Sequence, residues 1–326
     1  MKIAILGAGA WGTALALAFA ARHEITLWLR DKDYGAAMRQ TRENSRYLPG
    51  FSLPASLRIE TDLALALADV ELVVVVVPTA GFRQVLREIH GSAAPVIWGC
   101  KGFEVGSAKL PHQVIAEELK PDAKAAVLSG PSFAEEVARG LPTAVTLASD
   151  DPGFAREMAK QLHSARLRIY SSSDVVGVEV AGAVKNVLAM AAGISDGMNL
   201  GNNARAALMT RGLAEMTRLG LALGGRMETF MGLAGMGDLF LTASSDLSRN
   251  RRVGLMLARG KTLSSILEEL GHVAEGVTTA KEVQRLGRLV NVDMPITQTI
   301  CRVLGDGLAP DAALSELLSR EPRTEH

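Results

Sequence analysis

The sequence is poor in several kinds of residue, and each scarcity excludes a class of protein. With two cysteines, Cys100 and Cys301, among 326 residues, the chain can build neither a disulfide scaffold nor a cysteine-ligated zinc site. Aromatic residues are 4% of the total, too few for ring stacking on bases or sugars to dominate recognition. The unbroken apolar run 72–78 is far too short to span a bilayer, so we expect no membrane insertion.

Net charge is also absent, because 35 Lys and Arg residues balance 35 Asp and Glu residues. A uniform binder of polyanions or membrane surfaces would carry a basic surplus, so we expect no nucleic-acid partner, although a local basic patch remains allowed. The scarce cysteines fit a reducing compartment. The first residues lack the charge, apolar run and cleavage site of a signal peptide, and both observations predict a cytoplasmic protein.

Short β-branched runs alternate with Ala- and Leu-rich segments over the first two thirds of the chain. This alternation is typical of a parallel sheet covered by helices on both faces. The predicted strands are residues 2–6, 25–29, 72–77, 96–98, 125–128, 144–147 and 167–170, with a weaker candidate at 58–60. The run 72–77 has no polar alternation, which favours a central strand buried on both faces.

The amino-acid composition changes after residue 173, where the Val and Ile runs stop and Ala, Leu, Met and Gly dominate. Helical periodicity fits residues 175–194, 205–222, 251–258, 262–269 and 275–289. Pro295 and Pro310 are expected to open two further helices, because proline is tolerated at the first helical position. The sequence therefore predicts an α/β domain over residues 1–173 and an all-α domain over residues 174–326.

A glycine fingerprint opens the chain. Residues 7–12 read GAGAWG, directly after a predicted strand and before a predicted helix, which is the context that dinucleotide binding requires. Gly7 permits the tight turn, Gly9 lets the backbone approach a pyrophosphate, and Gly12 lets the helix pack close to the strand. The alternative, a glycine-rich turn that serves packing alone, is the weaker interpretation. The first domain is accordingly predicted to be a Rossmann-type, doubly wound, mostly parallel NAD(P)-binding domain.

Arg30 and Asp31 follow the second predicted strand, and they favour different cofactors. An acidic residue there binds the ribose 2′-hydroxyl of NAD, whereas an arginine suits the 2′-phosphate of NADP. Because Arg30 comes first, we predict that NADP(H) is preferred and that NAD(H) is accepted. The alternative is that both are solvated charges at the end of a strand.

Polar residues also follow other predicted strands, where ligands bind in sheets of this type. Lys101 beside a glycine indicates a substrate or phosphate contact, although a solvated surface lysine is the default for a lysine taken alone. Ser132 precedes a helical segment, so it either contacts an anion or caps the helix, with Glu135 completing a capping box.

In the second domain a single lysine, Lys185, interrupts an apolar helix, and none of its helical neighbours can neutralise it. It either reaches out to water or is held for acid–base chemistry on a carbonyl–alcohol pair. Asp238 follows a glycine cluster and would share a helical face with Thr242, unless it is only a helix cap. Ser248 and Arg249 precede another helix, an arrangement suited to phosphate binding or to a capped, solvated turn.

These segments together resemble the bacterial NAD(P)-dependent glycerol-3-phosphate dehydrogenases over nearly the whole chain. The shared blocks are GAGAWGTA at 7–14, CKGFE at 100–104, SGPSFAEEVARGLPTA at 129–144, EVAGAVKNVLAMAAGISDGM at 179–198, GMGDL at 235–239, SRNRRVG at 248–254 and VAEGVTTA at 273–280. The long internal blocks are far more specific than the glycine fingerprint. One departure is Ala10, which stands where serine is frequent in the family.

The resemblance implies reduction of dihydroxyacetone phosphate to sn-glycerol 3-phosphate with NADPH or NADH, without a metal, in support of phospholipid synthesis. It implies that Lys185 exchanges the proton, with Lys101 and Asp238 as further catalytic residues. The implied substrate contacts are Lys101, Gly130, Ser132, Lys185, Asn186, Asp238, Ser248, Arg249 and Asn250. The implied cofactor contacts are Gly7, Gly9, Ala10, Trp11, Gly12, Arg30, Lys101, Ala134, Arg249, Val273 and Glu275.

Two alternatives remain open beside this interpretation. Another Rossmann dehydrogenase of the 3-hydroxy-acid or hydroxyacyl-CoA type would carry different substrate blocks. A dinucleotide sensor without activity would keep the glycines and lose the lysines and the arginine. The sequence leaves the oligomeric state undetermined, and a homodimer is one candidate assembly.

Overall fold

The computed structural model describes residues 1–270 and 275–318. The chain divides into two compact units, which we call unit 1 and unit 2. Unit 1 comprises Met1–Lys101 and Lys109–Glu179, and unit 2 comprises Gly102–Ala108 and Val180–His326. The predicted domain boundary after residue 173 stays a prediction.

Unit 1 is built on an eight-stranded sheet in the order β10-β9-β8-β7-β6-β1-β2-β5. The strands, including a separate two-stranded hairpin of β3 and β4, are β1 (Lys2–Leu6), β2 (Glu24–Trp28), β3 (Glu43–Asn44), β4 (Leu48–Ser52), β5 (Arg58–Glu60), β6 (Leu72–Val75), β7 (Val96–Trp98), β8 (Ala125–Ser129), β9 (Thr143–Ala148) and β10 (Leu167–Ser172). Every neighbouring pair in the large sheet is parallel except β8 and β9. The predicted mostly parallel α/β architecture is thus confirmed.

The helices of unit 1 cover this sheet. They are α1 (Ala10–Ala20), α2 (Lys32–Thr41), α3 (Leu63–Ala66), α4 (Thr79–Glu88), α5 (Pro111–Glu118), α6 (Ala134–Ala138) and α7 (Pro152–Leu162). Local chemistry sets several helix starts: the Asp151 side chain accepts from the Gly153 and Phe154 amides, and Pro152 occupies the first turn of α7.

The centre of the sheet is as apolar as its sequence predicted. All four residues of β6 are buried, and Ile3 of β1 lies opposite Ile25 of β2 and Leu72 of β6. A strand flanked on both sides and covered on both faces has no solvent-facing position for a polar residue. This is why the run at 72–75 shows no alternation.

Two features of unit 1 were not predicted. The antiparallel direction of β9 leaves no trace in its own residues, because strand direction depends on the connection and not on side-chain preference. The β3–β4 hairpin has a first strand of only two residues, Glu43 and Asn44. Neither is a β-branched or aromatic residue, so no strand signal was available.

Every regular element in the described part of unit 2 is a helix. After α8 (Val175–Gly197), which begins in unit 1, come α9 (Gly201–Ala222), α10 (Met227–Met231), a π-helix (Leu233–Gly237), α11 (Asp238–Ser244), α12 (Arg249–Ala258), α13 (Leu263–Leu270), α14 (Glu275–Leu289), α15 (Pro295–Gly305) and α16 (Pro310–Leu318). Pro295 and Pro310 open their helices, as predicted.

Helix α8 is the core helix. By length and composition alone it could cross a membrane, with a mean hydropathy of 1.6, but 94% of that apolar window is buried inside the protein. Two glycines permit its close packing on α12: a Cβ at Gly193 would lie 2.1 Å from the Arg251 carbonyl oxygen, and one at Gly254 would lie 2.1 Å from that of Met190. Backbone therefore meets backbone at this crossing, which fixes the position of α8 firmly.

The segment Gly102–Ala108 packs with unit 2 through α14. The Gly106 amide donates to Glu282 Oε1 at 2.9 Å, and the Arg285 guanidinium donates to the Gly106 carbonyl oxygen.

Candidate functional site

The glycine turn at 7–12 has the geometry of a phosphate-binding turn. Gly7 has φ +116°, and a Cβ there would lie 2.9 Å from the Val76 carbonyl oxygen. A Cβ at Gly12 would lie 1.9 Å from the Gly7 carbonyl oxygen, whereas Gly9 has open space on its Cβ side. Gly9 precedes α1 without a side-chain cap, so the first helical amides are left to a ligand. The turn fits a dinucleotide pyrophosphate.

A buried side chain that the sequence analysis missed supports this turn. Asn44 Nδ2 donates to the Ala8 carbonyl oxygen at 2.9 Å and to Thr13 Oγ1 at 2.7 Å. Asn44 Oδ1 accepts from the Tyr34 hydroxyl at 2.7 Å, so the carboxamide is bonded on both sides. Asn44 lies in a short polar stretch without periodicity, and no sequence signal marked it. Its hydrogen bonds to Ala8 and Thr13 help to fix the backbone of the glycine turn.

Arg30 and Asp31 follow the end of β2, and Asp31 is bonded by a third residue, Arg46, from the turn between β3 and β4. Asp31 Oδ1 accepts from the Tyr34 amide at 2.9 Å, and Oδ2 pairs with Arg46 at 3.1 Å. The Tyr34 amide and then Arg46 hold the pKa of Asp31 below its ordinary value. Arg30 is exposed and contacts Glu88 at 3.4 Å. Both Asp31 oxygens are therefore engaged, while exposed Arg30 has a long ion pair with Glu88 and its guanidinium carbon lies 6.0 Å from the centre of the Trp28 ring.

Three predicted residues of unit 1 meet at the ends of β7 and β8. Lys101 Nζ donates to the Gly130 carbonyl oxygen at 3.2 Å, and Ser132 Oγ donates to the same oxygen at 2.9 Å. The predicted alternative for Ser132, a helix cap with Glu135 in a capping box, is wrong. Helix α6 begins at Ala134 after Phe133 and has no side-chain cap, because the serine hydroxyl turns back to Gly130.

In unit 2 the predicted lysine has a buried partner. Lys185 Nζ lies 2.6 Å from Asp238 Oδ1 and 2.9 Å from Thr242 Oγ1. All three residues are buried, at 7%, 1% and 4% exposure. Asp238 does not cap α11, whose N-cap is Gly237, so the cap alternative is wrong. The Asp238 carboxylate on α11 instead neutralises the Lys185 ammonium, which the neighbouring residues on α8 do not neutralise.

The π-helix at Leu233–Gly237 delivers Asp238 to this position. Helix α11 starts directly after it, and Asp238 and Thr242 lie one turn apart on the same buried face. No π-helix was predicted from the glycine cluster that precedes Asp238. A wide π-turn is rare enough that composition does not reveal it, although such turns are frequent at functional sites.

A carboxamide network joins three helices beside Lys185. Asn250 Nδ2 donates to Asn186 Oδ1 at 3.0 Å, and the Gly276 amide donates to Asn250 Oδ1 at 3.1 Å. This network ties α12 to α8 and α14. It fixes Asn186, the residue after Lys185, by a partner from another helix.

The start of α12 combines a cap with two exposed arginines. Ser248 Oγ accepts from the Arg251 amide at 3.2 Å, so the predicted cap is confirmed. Arg251 is held by Asp196 at 2.7 Å and by Asp246 at 2.5 Å. Within residues 1–270 and 275–318, by contrast, the exposed Arg249 side chain has no ion pair or hydrogen bond. Arg252, in the same first turn, is also exposed and its side chain has no ion pair or hydrogen bond among the described residues, so the helix start presents two uncompensated cations.

The remaining predicted cofactor contacts are placed as follows. Ala10 and Trp11 open α1, and Ala134 opens α6. Glu275 is the half-buried first residue of α14, and Val273 lies outside the described residues. Across the described ranges, no group of three His, Cys, Asp or Glu side chains is placed to hold a metal ion.

Two family models match the chain in succession. The one described as the NAD-dependent glycerol-3-phosphate dehydrogenase N-terminus matches residues 2–155, and the one described as the C-terminus of that enzyme matches residues 174–315.

Similar proteins and structures carry the same name. The chain is 59% identical over 327 residues to the NAD(P)+ glycerol-3-phosphate dehydrogenase of Dechloromonas aromatica (strain RCB), and the alignment covers 100% of this chain and 99% of that protein. It is 60% identical over 331 residues to the enzyme of Nitrosospira multiformis, with the same coverage. A crystal structure of glycerol-3-phosphate dehydrogenase from Coxiella burnetii is 43% identical, with a TM-score of 0.94 over 98% of this chain and 99% of that one.

Proposed function

The chain belongs to the family of NAD-dependent glycerol-3-phosphate dehydrogenases, and from this premise we propose that it catalyses the reversible reduction of dihydroxyacetone phosphate to sn-glycerol 3-phosphate with NAD(P)H. One observation carries the proposal: a lysine ammonium, Lys185, is buried against Asp238 and Thr242 in a unit whose α12 start presents Arg249, which is unpaired among the described residues. An acid for a carbonyl and a cation for a phosphate are the two groups that a ketone phosphate demands. The product supplies the backbone of glycerophospholipids.

Lys185 acts as the proton donor in the reduction. Its ammonium donates a hydrogen bond to the ketone oxygen and transfers the proton as the alkoxide develops. Asp238 balances the ammonium charge at 2.6 Å, and Thr242 Oγ1 fixes the direction of Nζ. In the oxidation direction the neutral amine of Lys185 accepts the proton again.

The substrate is held by charges and by carboxamides. Arg249 binds the phosphate at the start of α12, where the amide groups of the first turn add positive potential. Ser248, Asn250 and Asn186 line this part of unit 2, and Lys101, Gly130 and Ser132 form the contact set of unit 1. Fixing the three-carbon unit in one orientation lowers the entropic barrier of the reaction.

The glycine turn at 7–12 binds the dinucleotide, which when bound supplies the hydride. Ala10, Trp11 and Ala134 contribute from helix starts, and Val273 and Glu275 complete the contact set that the family resemblance implies. We propose a preference for NADPH over NADH, because both oxygens of Asp31 are occupied while Arg30 is exposed. Replacing Arg30 by Ala should lower the NADPH-to-NADH ratio of kcat/KM, and an unchanged ratio would reject Arg30 as the selector.

We propose further that the enzyme works in the cytoplasm and that the helical substrate domain begins at residue 174. Two buried free cysteines fit a reducing compartment. For the assembly we propose a homodimer of the 34.5 kDa chain, which light scattering after size-exclusion chromatography can distinguish from a monomer.

A direct assay tests the activity. The folded protein is mixed with NADPH and dihydroxyacetone phosphate, and the absorbance of NADPH is followed. Steady oxidation that depends on dihydroxyacetone phosphate supports the proposal. No oxidation by folded protein, or equal oxidation with an unphosphorylated ketone, would refute it and reopen the other dehydrogenase classes.

A further inference from the structure

One buried carboxylate closes both ends of the segment that carries Lys101. Glu179 Oε1 accepts from Trp98 Nε1 at 3.0 Å and from the His112 amide at 2.9 Å, and Oε2 bonds His112 Nδ1 at 2.5 Å. Trp98 is the last residue of β7, and His112 lies in the first turn of α5. We call this group of three residues the Glu179 clasp. It joins the two points between which residues 99–110 run.

The Glu179 carboxylate and the Trp98 indole of the clasp are buried, whereas the His112 side chain is 25% exposed. The Glu179 side chain is 1% exposed and Trp98 is 2% exposed. A carboxylate in such a place is costly unless its oxygens are bonded, and here three donors serve them. Removing a donor would leave buried acceptor capacity unsatisfied, which is why the arrangement holds one geometry.

The segment between Trp98 and His112 needs this support. It contains neither helix nor strand up to Leu110, and the chain leaves unit 1 after Lys101 and returns to it at Lys109. Lys101 is therefore the last residue of unit 1 before the departure, three positions after Trp98. Between its ends the segment is bonded to α14 at Gly106, and Glu179 fixes the two points at which the segment joins unit 1.

We propose that Glu179 is a positioning residue for Lys101. This inference rests on the proposed function, in which Lys101 contacts substrate and cofactor. Within unit 1 Glu179 holds the end of β7 through the Trp98 indole and the start of α5 through His112, and so sets where Lys101 Nζ lies relative to the Gly130 carbonyl oxygen. Glu179 itself touches neither reacting molecule.

The test is a double-mutant cycle between Glu179→Gln and Lys101→Ala, measured by kcat/KM for dihydroxyacetone phosphate. Glu179→Gln keeps the shape of the side chain but removes its charge and places an amide group against His112. We expect it to lower kcat/KM about tenfold, because small misplacements of a reacting group are costly. In the Lys101→Ala background the same substitution should change kcat/KM by less than about twofold, since its target is already gone.

A matched control uses another buried carboxylate that accepts from backbone amides. Glu215, in unit 2, is fully buried and bonds the Ile296 and Thr297 amides at 2.9 Å each. Glu215→Gln should lower Tm by an amount comparable to Glu179→Gln while leaving kcat/KM within about twofold of wild type. The NADPH Kd, measured by fluorescence, should stay within about twofold for Glu215→Gln, whereas Glu179→Gln should raise it, because Lys101 is also a cofactor contact.

The outcomes separate the inference from the proposed function. Equal losses from Glu179→Gln in the wild-type and Lys101→Ala backgrounds, or an unchanged kcat/KM, would overturn the positioning role. If wild type itself does not reduce dihydroxyacetone phosphate, the proposed function fails first. Should Glu179→Gln not fold, Trp98→Phe removes one donor and keeps a ring. It is expected to lower kcat/KM about threefold in the same non-additive way, and an additive loss would reject the inference.

Discussion

The two candidate binding regions of this protein use different groups: one uses backbone and the other uses side chains. The dinucleotide turn of unit 1 is made of backbone: Gly7, Gly9 and Gly12 matter because they lack side chains, and all lie within six residues. The lysine site of unit 2 is made of side chains, with Lys185 on α8 and its partners on α11, more than fifty positions later. A backbone site can therefore be identified from one short motif. A side-chain site forms only when the helices that carry its residues have packed together.

The largest expected effect is on the side-chain site. Lys185→Ala should lower kcat by about a thousandfold, because general acid catalysis is lost and Asp238 is left as a buried, unpaired carboxylate. Stopped-flow and steady-state kinetics with dihydroxyacetone phosphate would measure the loss, with NADPH fluorescence as the control for cofactor binding. Turnover near the wild-type level with intact NADPH binding would remove Lys185 from the mechanism.

The backbone site should respond in two separate ways. Gly9→Ala places a methyl group in open space, so we expect an unchanged Tm and an NADPH Kd raised about tenfold or more. Gly12→Ala forces a methyl group to within 1.9 Å of the Gly7 carbonyl oxygen, so it should destabilise the fold by about 1–3 kcal/mol. Thermal melts and NADPH titrations would distinguish them, and a Tm loss for Gly9→Ala larger than for Gly12→Ala would contradict the assignment.

The start of α12 offers a smaller contrast between neighbouring arginines. Arg249→Gln should raise the KM for dihydroxyacetone phosphate about tenfold without loss of Tm, because Arg249 is exposed and unpaired among the described residues. Arg251→Gln should instead lower Tm and leave the KM for dihydroxyacetone phosphate unchanged, since it breaks ion pairs with Asp196 and Asp246. If Arg249→Gln leaves KM unchanged, the phosphate binds elsewhere.

The smallest effect concerns stability and pH. Burial alone would lower the pKa of His112, but the hydrogen bond and charge of Glu179 raise it above its ordinary value. A group whose pKa is raised on folding contributes stability that is complete below its unfolded pKa of 6.5 and is lost as pH rises through the folded pKa. The free energy of unfolding lost in His112→Gln should therefore shrink as pH rises from below 6.5 through the raised folded pKa. Denaturant titrations would measure it, and a loss that grows with pH would contradict the sign.

Much of the fold was predictable because its signals are local. The runs at 2–6, 96–98 and 58–60 became strands with those bounds, and Pro295 and Pro310 opened helices as expected. The direction of β9, the β3–β4 hairpin and the π-helix were not predictable. Strand direction and a wide helical turn are decided by contacts with the rest of the unit, which periodicity does not record.

Several residues of the candidate site were predicted from the sequence, but the hydrogen bonds and ion pairs between them were not. Lys185 was marked by its isolation on an apolar helix, yet its neutralisation by Asp238 needed the packing of α11. No role was predicted for Asn44, Arg251 or Glu179. Their importance comes from burial and from partners distant in the chain, and neither property is visible in a residue taken with its neighbours.

The sequence by itself determined the alternation of strands and helices, the change to an all-helical second part, and the glycine turn. Each of these depends on residues within one or two turns of chain, where backbone sterics and periodic burial act directly. Only the tertiary structure decided which carboxylate neutralises Lys185, which amide holds the glycine turn, and which buried carboxylate ties the two ends of the Lys101 segment. Those contacts join residues far apart in sequence, and their strength comes from the exclusion of water that packing alone produces.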